Sequence, residues 1–124
     1  MTLRRLEYLQ WFGFLAGGIT WYLLFLAGVG VSMVSCNPAG QRWNVPHDAL
    51  HISLLAVNVV VLAAAETAAV LVFRATRGAK DEDPPPPARQ RFFAIGAMTG
   101  NVLFFVILLL SEVASIVDRA CGQA

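Results

Sequence analysis

The sequence predicts an all-α integral membrane protein, a three-helix bundle, and three observations carry that prediction. Over 124 residues the chain is 57% hydrophobic and only 14% charged, with a mean hydropathy of +0.64, a balance foreign to soluble domains. Three apolar stretches, about residues 8–35, 47–73 and 92–117, each exceed the roughly 20 residues a helix needs to cross the hydrocarbon core. The basic residues are divided unevenly between the two sides of these stretches. Arg4, Arg5, Arg74, Arg77, Lys80, Arg89 and Arg91 fall on one side, and only Arg42 and Arg119 on the other. Lys and Arg are retained in the cytoplasm, so this distribution predicts an inside N-terminus and an outside C-terminus. A net charge of +1, with no basic cluster interleaved with aromatics, excludes a nucleic-acid groove.

The first helix opens with Arg4, Arg5, Tyr8 and Trp11, a charged and aromatic start that resembles a signal peptide. Its apolar run is far longer than the ~7–15 residues of a secretory h-region, so an uncleaved helix is expected. Met33-Val34-Ser35-Cys36 loosely matches a lipoprotein cleavage box, which leaves lipidation of Cys36 as an alternative. Gly13, Gly17, Thr20 and Gly28 share one face, and Gly13 and Gly17 make a GxxxG pair, where a neighbouring backbone can approach. Trp21 and Tyr22 fall near mid-membrane, away from the interfaces where such residues collect. They read as simple packing or as contact with a partner subunit.

The outer loop 36–46 carries the turn signals Asn37-Pro38 and Ala39-Gly40, then Trp43, Asn44 and Pro46 as signals for a helix start. In the second helix, His47, His51, Asn58, Leu62, Ala65 and Ala69 fall within an arc of roughly 60°, with Glu66 at its edge. This is a polar stripe in an apolar helix, and it must face protein because polar groups in hydrocarbon are costly. The cytoplasmic loop 74–91 holds Asp81-Glu82-Asp83 and then four prolines, Pro84 to Pro87. It is expected to be an extended polyproline segment without helix, either a solvated connector or a docking strip for a partner. The third helix has its own stripe in Asn101, Leu108, Glu112 and Ser115.

Counting depth from the outer ends at about 1.5 Å per residue sets His51 level with Glu112 and Asn58 level with Asn101. The expected pairs are therefore Asn58 with Asn101 and His51 with Glu112, leaving Glu66 without a partner. His47 and His51 stand at i and i+4, the spacing that brings two imidazoles to one metal or haem. With no third ligand on that helix, a structural polar cluster or contact with a larger partner is the plainer reading, and no metal or cofactor is assigned. Met33 and Cys36 near His47 raise copper, because sulfur suits Cu(I). The cysteines have a simpler account. The charge bias puts Cys36 and Cys121 both outside, where disulfides persist, and a Cys36–Cys121 bridge is expected against free thiols or metal ligands.

No nucleophile–base pair, phosphate loop, CxxCH or CxxC motif is present, and no soluble substrate is suggested, so no enzyme active on its own is expected. Two intramembrane carboxyl groups beside glycine-rich faces imply more protein nearby. The run Leu9 to Gly17 with Trp21, then Cys36-Asn37-Pro38-Ala39-Gly40, Trp43, Pro46 and Asp48, and the loop Phe73 to Gly78 with Asp83-Pro84 resemble small three-helix proteins encoded beside bacterial haem-copper (cytochrome c) oxidase genes. The resemblance implies a multi-pass protein of the bacterial inner membrane, an accessory subunit or assembly partner in the respiratory chain, and it supplies no catalytic residue. The expected function is a non-catalytic accessory subunit held through the glycine face of helix 1. The competing expectation is a homo-oligomeric transporter or proton-conducting pore that uses Glu66 and Glu112.

Overall fold

The computed structural model describes residues 2–35, 47–80 and 82–117, with side chains placed for 2–34, 49–80 and 82–114. Three helices account for most of this: α1 (Leu3–Ser35), α2 (His47–Ala75) and α3 (Pro87–Val117). Each packs against the other two. There is no strand among the described residues. All three helices are long and apolar enough to cross a membrane, and large apolar side chains such as Ile19, Leu23, Val60 and Leu110 face outward along them. A soluble bundle would bury that surface, whereas a lipid-solvated one turns it to the acyl chains. The chain is a membrane protein built as a three-helix bundle.

Two helices start earlier than the apolar runs. The carbonyl of Thr2 accepts the first bonds of α1, from the N–H groups of Arg5 and Leu6 at 3.0 and 3.2 Å, so the charged opening is itself helical. The fourth proline does not continue an extended segment. Pro87 is the first residue of α3, and the Gln90 N–H bonds the Pro86 carbonyl at 3.0 Å. Proline suits this position because its missing N–H would have no helical partner there, and its fixed φ is already helical.

The expected extended connector is instead a short folded turn. The Thr76 hydroxyl donates back to the Val72 carbonyl at 2.9 Å as α2 ends. The Ala79 N–H bonds the Thr76 carbonyl, and Lys80 and Asp83 bond each other through the Lys80 N–H and the Asp83 carboxylate. The Arg91 guanidinium donates to the Ala79 carbonyl and lies over the Phe73 ring, 6.0 Å from its centroid. Thr76, Ala79 and Gln90 are buried as a result. At the same end, Arg89 of α3 and Glu7 of α1 make an exposed 4.0 Å ion pair, a type worth little in stability.

The buried positions follow one spacing. On α1 they are Leu6, Gln10, Gly13 and Gly17; on α2, Asn58, Leu62, Ala65, Ala69, Val72 and Thr76, with Ala68 buried beside this row; on α3, Gln90, Ala94, Ala97 and Asn101, with Leu108 further along. Alternating steps of four and three residues mark the seam of helices that wind around one another. Small residues dominate, so the backbones approach closely. A Cβ on Gly13 would stand 3.1 Å from both the Ala65 oxygen and the Ala69 nitrogen of α2. Phe93 closes the α1–α3 side, with ring centroids 5.6 Å from Trp11 and 5.3 Å from Phe14.

Candidate functional site

Polar groups enter the bundle at two levels. At the first, Gly17 has no side chain, and a Cβ there would stand 2.5 Å from the Asn101 Oδ1 and 2.9 Å from the Leu62 Cδ1. That space admits the Asn101 amide between the helices. Its Nδ2 donates to the Gly13 carbonyl and to the Glu66 Oε2, each at 3.2 Å, so one amide links all three helices. A helical carbonyl has a second lone pair, and Gly13 accepts the extra bond through it. Asn101 is 3% exposed. Glu66 is half-buried and lines a groove of about 250 Å³ with Val59, Leu62, Ala63, Asn101, Val102 and Phe105.

This arrangement overturns the expected Asn58–Asn101 bond. Asn101 is level with Glu66, which is eight residues, or about 12 Å, along α2 from Asn58. The depth count assumed that the helices end flush on the outer side. Their relative height is fixed at the other end, where the folded turn from Thr76 to Arg91 joins α2 to α3. Glu66, expected to be left over, is the residue that Asn101 bonds.

The second level lies towards the far end of the bundle. There a cavity of about 340 Å³ opens between the helices, walled by Trp21, Leu24 and Phe25 of α1, Leu54 and Leu55 of α2, and Leu108 of α3. Its polar lining is Ser32, His51, Asn58, Ser111 and Glu112. His51 and Glu112 thus border one space. Trp21 is stacked on Phe25 with centroids 5.9 Å apart and lies 5.8 Å from Phe104, so its mid-membrane position is one of internal packing. Tyr22 faces outward. Gly28 lies on the cavity wall with nothing within 4 Å of an added Cβ, so the close-packed glycine face ends before it. Asn58 is 1% exposed, and neither its Oδ1 nor its Nδ2 has a hydrogen-bond partner among the described residues.

The side chains of His47 and Ser115 lie outside those described, as do Cys36 and Cys121 with the bridge expected between them. Among the described residues, no three His, Cys, Asp or Glu side chains gather as a metal site would require. The sequence reading passed over Gln10, which is 2% exposed with both amide atoms unpartnered among the described residues. The signal was present, since Gln10 precedes Gly13 by three residues and Gly17 by seven and so shares their face. No protein family, curated protein sequence or solved structure matches this chain.

Proposed function

We propose that the protein is a non-catalytic accessory subunit or assembly partner of a larger membrane complex. The observation that carries this reading is the Glu66 groove. It sets a carboxyl group, bonded through one oxygen to Asn101, into an otherwise apolar channel between α2 and α3. A carboxyl group facing lipid is costly, and intramembrane carboxyl groups are as a rule covered by protein. The partner's surface is therefore the α2–α3 groove. It is not the glycine face of α1, because Gly13 and Gly17 are occupied by the chain's own α2 and α3. A partner helix that brings a hydrogen-bond donor to the level of Glu66 fits this surface.

The respiratory setting, a haem-copper oxidase of a bacterial inner membrane, is supported by the sequence resemblance alone. Purification in mild detergent tests it. A haem-containing complex should accompany the wild-type chain and be lost from Glu66→Leu. The homo-oligomeric pore predicts the opposite, a self-assembled chain without other subunits, and that result overturns the proposal. The orientation is tested by thiol labelling of Glu82→Cys in intact cells. Glu82 is exposed, so a shielded cysteine there means an inside loop, and labelling from outside reverses the topology. Ala79 in the same loop is buried and would be shielded on either side.

A further inference from the structure

The cavity at the far end contains a feature that neither packing nor the docking groove explains. Asn58 lines the cavity with a primary carboxamide that has no partner among the described residues. An unmet buried amide is destabilising by about 1–3 kcal/mol, so such groups are rare without a role. The walls around it are apolar and aromatic, and the stacked Trp21 and Phe25 rings contribute a flat face. Beyond Gly17 no described α1 side chain is buried, and the cavity runs along α1 from Trp21 to Met33. A volume of about 340 Å³ falls within the range of small-molecule sites, and an apolar pocket with few polar groups is their usual composition.

We propose that this cavity binds a lipid-soluble, ring-bearing hydroxyl compound of the phenol or hydroquinone class, anchored by Asn58. The choice follows from the amide. It offers acceptor and donor together, and a hydroxyl group meets both, donating to Oδ1 and accepting from Nδ2. A carbonyl or ether oxygen leaves Oδ1 unmet, and an ammonium group leaves Nδ2 unmet. The terminal torsion of asparagine is broad, so the amide plane turns towards the ligand without displacing α2. Glu112 lies on the last turns of α3, and the anchor assigned is the Asn58 amide. The ring lies against Trp21 and Phe25, and an alkyl tail leaves between the helices into lipid. Binding alone is assigned, and it does not depend on the docking groove.

The test uses the full chain carrying Trp11→Phe and Trp43→Phe, in phosphatidylcholine nanodiscs, so that fluorescence reports Trp21. The probe is a decyl-substituted hydroquinone kept reduced under argon, compared with its dimethyl ether. Saturable quenching by the hydroquinone is expected, with at least ten-fold weaker binding of the ether. Asn58→Leu should remove that preference without lowering the thermal unfolding midpoint, and Thr67→Ala, an exposed position outside the cavity, should leave binding within two-fold. Equal, non-saturable quenching by both compounds means partitioning into lipid and overturns the site. So does a preference that survives Asn58→Leu, or saturable binding of decylamine that is lost in Glu112→Gln. A loss of thermal stability in Asn58→Leu would assign the amide to the fold and equally overturn the proposal.

Discussion

The two halves of this bundle, divided near Gly17 and Asn101, are built on different principles from the same apolar alphabet. In the half that carries most of the basic residues, Ala65, Ala68, Ala69, Ala94 and Ala97 let the helices meet backbone to backbone, and Val72 is completely enclosed. In the far half, α1 has no buried residue among those described beyond Gly17. Aromatic rings and leucines hold the helices apart there, and Gly28 and Gly30 meet no neighbour within 4 Å. Hydropathy hardly separates the halves, since leucine is as much at home in lipid as in protein. Association in lipid depends instead on close contact and hydrogen bonds, which small residues permit and large ones prevent. A glycine therefore means opposite things at its two ends, a contact point at Gly13 and an open wall at Gly28.

Substitution breaks this comparison most directly at those two glycines. Gly13→Leu drives a side chain into the backbone of α2, which cannot turn aside as a rotamer would. It should lower stability by about 3 kcal/mol in reversible detergent unfolding, whereas Gly28→Leu should stay within about 0.5 kcal/mol. Equal losses would show that the far half is as closely packed as the near one. The next largest effect belongs to the Asn101 linkage. Asn101→Leu leaves Glu66 without its donor and should lower stability by about 1–3 kcal/mol. Asn101→Leu combined with Glu66→Leu should recover much of that loss, and additive losses would mean the bond contributes nothing.

The far half predicts a change of the opposite sign. Without ligand, Asn58→Leu removes an unmet amide and should raise stability by about 1 kcal/mol, and a loss of that size would show the amide to be satisfied. The smallest effect is expected for the two residues bordering the cavity. A double-mutant cycle on His51→Leu and Glu112→Leu should give a coupling of about 0.5–1 kcal/mol if they act as a pair, and strict additivity would separate them.

The sequence revealed the architecture more readily than the heights. Three runs longer than a membrane is thick, separated by charged or proline-rich stretches, leave little other than a three-helix bundle. The stripe of Asn58, Leu62, Ala65 and Ala69 was legible because a helical face is a matter of angle, and angle follows from spacing alone. Height is a matter of origin, and the origin was hidden in the α2–α3 turn. There Arg91 reaches back to the Ala79 carbonyl, and the fourth proline begins a helix instead of prolonging a loop. Asn101 was therefore assigned the wrong partner on the right face. Gln10 was overlooked for a different reason. A single amide within an apolar run draws little notice until its phase is compared with that of Gly13 and Gly17.

The alternating four and three spacing of the buried residues has a consequence for how the chain tolerates changes in length. A seam of period 3.5 on helices that turn every 3.6 residues stays aligned only if the helices coil leftward about one another. Every position along the seam is thereby locked in phase with every other. One residue inserted into α3 between Asn101 and Leu108 would leave the alanine-packed half untouched and rotate everything beyond it by about 100°. Glu112 would then swing from the cavity towards the acyl chains. Seven inserted residues would restore the phase and lengthen the helix by about 10 Å. Between its two polar levels, a whole heptad is the change in length that keeps the phase without locally unwinding or overwinding the coil.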